Sequence, residues 1–98
     1  MIKHIVAWSF TDGFTAAQNA ANAEKIKQGL EALAYLDGAI EITVHTNLLP
    51  KSTHDIMMDS TFESEEALAA YKVHPEHVLI GDFIGSVMKN RIALNFEI

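Results

Sequence analysis

The histidines and one nearby tyrosine are the side chains of this sequence best suited to chemistry. Two histidines frame the run His74-Pro75-Glu76-His77, and Tyr71 lies three residues before it. Residues three apart on a helix lie on nearly the same side, so we expect Tyr71, His74 and His77 to cluster where two helical segments join. Imidazole titrates near neutral pH and is the commonest general base, while a phenol can hold a substrate by a hydrogen bond.

A structural role is also open for each of these side chains. His74 precedes a proline that suits the first turn of a helix, so it could cap that helix. His77 could bond a backbone carbonyl, and Tyr71 fits an apolar helix face with its hydroxyl in water. His4 lies inside an apolar segment near the start of the chain. It is either a satisfied core histidine or a member of the same pocket.

No metal or cofactor is expected. The two histidines supply two ligands, whereas a closed zinc site needs about four, and His4 or His54 would have to converge from elsewhere. The sequence has no cysteine, which excludes disulfides and thiolate chemistry. It contains no phosphate-binding loop, dinucleotide fingerprint or nucleophile elbow.

The composition fits one globular domain spanning residues 1–98, with 49% hydrophobic and 20% charged residues. The net charge of −6 repels phosphate backbones, so nucleic acid is not an expected partner. The apolar start, Met1 to Phe10, is too short and too interrupted for a signal peptide or a membrane span. We therefore expect a cytoplasmic protein without a membrane partner.

Hydrophobic periodicity predicts an α+β chain in the order strand, helix, two strands, helical region, strand. Thr15 and Gln18 form a capping-box pattern at the first helix start, and Ser64 is a good N-cap for the second. The predicted strands span Ile2–Phe10, Ala39–Asn47, His54–Phe62 and Arg91–Ile98. The predicted helices span Thr15 to about Leu36, Ser64 to about Tyr71, and Pro75 to about Asn90.

This β-α-β-β-α-β order predicts a bare sheet face. Right-handed crossovers place both helical layers on one side of a single antiparallel sheet. The first strand, IKHIVAWSF, is apolar on both of its faces, so the uncovered side would expose a hydrophobic patch. A second copy of the sheet is the simplest cover, because isologous dimers dominate among oligomers. We therefore expect a homodimeric α/β barrel.

Over nearly its whole length the sequence resembles the stress-responsive A/B barrel (Dabb) family of the dimeric α/β-barrel superfamily. The tyrosine, two further residues and the His-Pro-x-His run are the most specific part. The resemblance implies a ferredoxin-like subunit and a homodimer whose sheets face each other. The matching segments are Met1–Val6, Asp37-Gly38, Thr61–Ser64, Ala69–Tyr71, His74–Val78 and Arg91–Glu97.

The same resemblance suggests one activity. Some similar plant proteins are polyketide cyclases, in which the residues matching Tyr71 and His77 form an acid–base pair. The base starts an intramolecular aldol-type closure, and the tyrosine helps to hold the substrate. This chain departs from the cyclases at Ile56, where they carry a further histidine, and at Asn95, where similar proteins can carry an acidic residue. Many other relatives have no defined reaction.

We therefore expect a small homodimeric protein that binds a small organic ligand in a pocket. A cofactor-free acid–base enzyme, with His77 as base and Tyr71 as hydrogen-bond donor, is one alternative. A non-catalytic structural stress protein is another. A cavity beside His77 would favour the first two, and a filled interior would favour the third. The expected pocket residues are His4, Tyr71, His74 and His77.

Overall fold

The computed structural model describes residues 1–98 and contains the predicted order of elements. A short 3-10 turn, Ala32–Tyr35, extends the first helix. No helix is both long and apolar enough to cross a membrane. The strands are β1 (Ile2–Phe10), β2 (Ala39–His45), β3 (Ile56–Phe62) and β4 (Met88–Glu97), and the helices are α1 (Ala16–Glu31), α2 (Glu65–Val73) and α3 (Pro75–Val87).

The four strands form one antiparallel sheet in the order β2-β3-β1-β4. Strands joined by a helical crossover are therefore separated by an antiparallel neighbour, which is the ferredoxin-like topology that the family resemblance implies. Helices α1 and α3 approach each other closely at Gly29, where an added Cβ would lie 2.5 Å from Cδ1 of Ile80. The α+β fold class is confirmed.

The core lies between the helices and one face of the sheet. The even-numbered residues of β1 and β3 form the sheet side of this core, since alternate side chains of a strand share a face. Val6 and Trp8 of β1 and Phe62 of β3 are buried there, together with Ile26 and Leu30 of α1. The opposite face of the sheet carries no helix.

The local signals for helix starts are borne out. Thr15 accepts a hydrogen bond from Gln18 N at 3.1 Å, and Gln18 Oε1 accepts one from Thr15 N at 2.9 Å, completing the capping box. Ser64 Oγ accepts from Ala67 N at 3.1 Å. His74 is extended (φ −61°, ψ 135°) between α2 and α3, as expected for a residue before proline.

Several element boundaries differ from the prediction. Helix α3 ends at Val87 rather than near Asn90, because Met88 already pairs with Phe10 at the start of β4. Strand β3 begins at Ile56 rather than at His54. Regular alternation along β2 would place Ile40 on the buried face with Ile42 and Val44, but a register shift between Ala39 and Glu41 leaves it 48% exposed.

Strand β4 carries a β-bulge opposite Trp8. Ser9 pairs with Lys89 and Ala7 pairs with Ile92, so two residues of β4, Asn90 and Arg91, face one residue of β1. Asn90 has a positive φ of 54°, which asparagine tolerates better than most residues. His54 Nε2 donates to the Asn90 carbonyl at 3.0 Å, so this histidine fastens the bulge.

Candidate functional site

A partly enclosed cavity of about 180 Å³ lies between α3 and the sheet. Its polar side chains are His4 of β1, His77 of α3 and Arg91 of β4. No aspartate or glutamate lines it. The remaining wall is apolar side chains and two helix glycines: Val6, Trp8, Leu30, Met58, Ile84, Met88, Gly81 and Gly85.

His77 stands in the first turn of α3 with a defined tautomer. Its Nδ1–H donates to the Lys72 carbonyl at 3.0 Å, and a carbonyl can only accept, so Nε2 of the neutral ring carries the free lone pair. Burial lowers the pKa of His77 below its usual 6.5. The bond to the Lys72 carbonyl opposes that effect in part, and the positive charges of Arg91 and Lys72 reinforce it. The ring is therefore held in the form that can accept a proton.

His4 is the second cavity histidine and is only 2% exposed. Its Nδ1 donates to Asn95 Oδ1 at 2.5 Å, which again leaves Nε2 as the free acceptor. Burial lowers the pKa of His4, and the bond to Asn95 opposes that effect in part. His4 lines the cavity, and no protein group bonds its Nε2.

Tyr71 packs behind the cavity and does not line it. Its ring centroid lies 4.4 Å from that of His77 and 4.8 Å from that of Phe62. The hydroxyl donates to Met58 Sδ at 3.8 Å, and burial raises the pKa of Tyr71 to about 12. In this arrangement the tyrosine fixes the ring of His77 and stays protonated.

His74 lies outside the cavity. Its Nδ1 accepts from Glu76 N at 3.2 Å, so the side chain caps α3. It borders a separate shallow depression beside Leu36, Asp37 and Tyr71. Of the four residues expected to share a pocket, the structure thus brings His4 and His77 to one cavity, places Tyr71 in the layer behind it and leaves His74 at the helix start.

Three cavity residues were not singled out from the sequence. Gly81 and Gly85 lie one turn apart on α3, and nothing lies within 4 Å of a Cβ added at either. Their i, i+4 spacing inside a helix is a signal that could have been noticed, because packing does not demand glycine there. The sequence gives no such signal for Arg91, because the face to which its side chain points depends on the bulge.

The other histidines have local partners or face solvent. His54 accepts from the Thr53 hydroxyl at 2.8 Å and donates to the bulge carbonyl of Asn90. His45 is exposed on β2. No three side chains of histidine, cysteine, aspartate or glutamate lie close enough together to hold a metal ion.

Comparisons with known proteins agree with this fold. A dimeric ferredoxin-like protein from Bacteroides fragilis superposes with a TM-score of 0.91 at 26% identity, covering 99% of this chain and 95% of that one. A dimeric ferredoxin-like protein from Thermobifida fusca gives 0.84 at 22% identity, covering 99% and 90%.

Sequence comparison gives the family. The stress-response A/B barrel domain-containing protein HS1 of Arabidopsis thaliana is 34% identical over 99 aligned positions, covering 90% of this chain and 82% of the relative. The family model for the stress responsive A/B barrel domain matches residues 2–98, so this chain belongs to that family.

Proposed function

We propose that this protein binds a small organic ligand in the cavity beneath α3, with His4 and His77 as its polar contacts. The observation that carries the proposal is the pair Gly81 and Gly85. Glycine inside a helix is destabilising by about 0.5–1 kcal/mol relative to alanine, yet no neighbouring atom excludes a side chain at either position. The glycines keep open a space that the fold itself does not require.

Filling that space tests the proposal. A library of small ring compounds would be screened by NMR, and we expect binders that shift the amide signals of His77, Gly81 and Gly85. The double variant Gly81→Ala/Gly85→Ala should unfold at a higher temperature and bind those compounds at least several-fold more weakly. Ser86→Ala, an exposed change on α3 outside the cavity, is the matched control and should bind as the parent does.

The outcomes separate a ligand site from an accidental void. Loss of binding together with a higher unfolding temperature supports the proposal, because a misfolded variant would lose ligand binding and thermal stability together. Compounds that bind the double variant as tightly as the parent would rule out this cavity as the site. An absence of any binder in the screen would favour the non-catalytic structural alternative.

We also propose that the protein is a homodimer, joined through the bare face of the sheet. Ile92, Leu94 and Phe96 alternate along β4 and are 47%, 59% and 49% exposed. Leu94 pairs with Ile5, and Ile92 with Ala7, so the apolar surface continues onto β1. A patch of this kind marks an interface, and the dimeric Bacteroides fragilis relative supports the same use here.

A specific observation favours acid–base catalysis as a second candidate. The neutral His77 with a free Nε2 is the form that removes a proton next to a substrate carbonyl. Such a proton transfer would begin an aldol-type ring closure of the polyketide-cyclase kind. Tyr71 would serve as donor only if the Met58 side chain moved, because that sulfur now receives its hydroxyl hydrogen.

Turnover distinguishes the two candidates. Given a β-polyketone substrate, an enzyme should lose ring closure on His77→Gln while ring compounds still bind. The rate should rise with pH as the imidazole loses its proton, since only the neutral ring is a base. Binding without any closure by the parent protein, across the histidine titration range, would leave ligand binding as the function.

A further inference from the structure

Arg91 is the one side chain of the cavity wall that is charged near neutral pH, and no carboxylate accompanies it. The three ion pairs of the structure join lysines to acids and leave Arg91 out. This is notable in a chain with 13 acidic and 7 basic residues, where a partner acid would be easy to supply. A guanidinium offers a planar fork of donors that matches a carboxylate in two parallel hydrogen bonds.

The β-bulge is what turns Arg91 toward the cavity. In a regular strand, side chains three residues apart point to opposite faces. Met88 and Arg91 are three apart, yet both line the cavity, because the extra residue at Asn90 shifts the alternation. Bulges often re-aim a side chain beside a functional site. Here the hydrogen bond from His54 to the Asn90 carbonyl further stabilises the bulge.

The charge and size of the cavity narrow the ligand class. Burial keeps the pKa values of His4 and His77 below the usual 6.5, so near neutral pH the wall carries the single positive charge of Arg91. One charge matches a monoanion. The cavity of about 180 Å³ is slightly larger than an engineered apolar cavity of about 150 Å³ that takes up benzene. The apolar wall therefore has room for one ring and a small substituent.

We propose that Arg91 makes the cavity selective for small organic carboxylates, with the carboxylate on the guanidinium and the apolar body among Trp8, Leu30 and Ile84. This inference rests on the proposed ligand-binding function and names the class of ligand. It gives Arg91 the role of a specificity-determining residue. The two free Nε2 atoms then remain available to a second polar group of the ligand.

The test compares benzoate with benzamide, which has nearly the same shape and no charge. Each would be titrated into the folded protein and followed by NMR amide shifts at pH 7.5. We expect benzoate to bind the parent about tenfold more tightly than benzamide, since a hydrogen bond between two charged groups is stronger than one to a neutral amide and part of that gain is lost to solvent at the exposed Arg91. Arg91→Gln should abolish this preference, so that benzoate binds no more tightly than benzamide, and Arg91→Lys should retain part of it.

Lys89→Gln is the matched control, because it removes a positive charge from the same strand at a residue that pairs with Asp12 at 3.1 Å and does not line the cavity. It should keep the preference for benzoate. An equal loss in Lys89→Gln and Arg91→Gln would overturn the assignment to Arg91. Equal binding of benzoate and benzamide by the parent would overturn the carboxylate inference and leave the ligand site standing. Binding of neither compound in the cavity would count against both proposals.

Discussion

At the scale of single residues, the two cavity histidines show how burial sets a protonation state. Both rings donate through Nδ1 to an oxygen that cannot donate back, one on Lys72 and one on Asn95. Burial then disfavours the imidazolium form. The result is a pair of neutral rings with the same nitrogen free, although they lie in different elements and have different partners.

Those lowered pKa values predict a loss of stability in mild acid. The unfolded chain binds protons near pH 6.5 and the folded chain only below that value. Stability is therefore greatest above pH 6.5 and falls as pH drops toward the folded values. We expect thermal unfolding to occur at a lower temperature at pH 5.5 than at pH 7.5, with a smaller difference in His4→Gln. The exposed His45→Gln should keep the full difference, and an unchanged difference in His4→Gln would contradict the prediction.

At Tyr71 the contribution of ring packing to stability can be measured apart from that of the hydroxyl hydrogen bond. Its ring is 2% exposed and packs between His77 and Phe62, whereas its hydroxyl has only a sulfur acceptor. We expect Tyr71→Phe to lower the free energy of unfolding by less than about 1 kcal/mol. Tyr71→Leu removes two aromatic contacts, each worth about 0.5–1.5 kcal/mol, and should cost about 1–3 kcal/mol. Urea denaturation checks both values, and a Tyr71→Phe loss as large as that of Tyr71→Leu would show that the hydroxyl has a stronger partner.

At the scale of elements, sequence predicts what is local and misses what depends on register. The capping box at Thr15, the N-cap at Ser64 and the break at His74-Pro75 each depend on neighbours within three residues, and each is found. The bulges near Ile40 and at Asn90 depend on pairing with distant strands. For that reason the exposure of Ile40 and the start of β4 at Met88 were not predicted.

The candidate site divides in the same way. Placing His77 next to Tyr71 needs only the bend at the proline, and their rings do meet. His4 lines the same cavity as His77, because the β1 alternation turns it to the helical face of the sheet. Arg91 could not be assigned, because a one-residue shift of register reverses the direction of every following side chain. The His74 side chain accepts a hydrogen bond from Glu76 N at the start of α3, and this contact holds it outside the cavity.

The bulge yields a prediction of its own. Asn90 holds a φ of 54°, a region that costs a β-branched residue of order 1–3 kcal/mol and costs glycine little. We expect Asn90→Val to destabilise the protein by that amount and Asn90→Gly to be nearly neutral. His54→Ala should give an intermediate loss by freeing the Asn90 carbonyl. Urea denaturation measures all three, and a neutral Asn90→Val would mean that the bulge can relax.

At the scale of the whole molecule, the bare sheet face predicts self-association. Light scattering at micromolar concentration should give twice the 10.8 kDa chain mass. Leu94→Glu places a charge in the exposed apolar patch, and burying an unpaired charge is costly, so this variant should have the mass of one chain. Leu79→Glu, at a position that is 71% exposed on α3, should remain dimeric. A folded parent monomer at that concentration would contradict the covering-sheet argument.

Strand β4 has consequences beyond its place at the edge of the sheet. Every residue of it except Met88 is exposed, and its alternate side chains serve the two proposals. Arg91 lines the cavity and Asn95 bonds the cavity histidine His4, whereas Leu94 and Phe96 lie on the bare face of the sheet. A second copy packed on one face of β4 would restrict the motion of the strand and so favour ligand binding on its other face. By thermodynamic reciprocity the ligand would then tighten the pairing of the two chains to the same extent. Occupancy of the cavity and assembly of the protein would thus become one linked equilibrium, in which dilution weakens the affinity for the ligand.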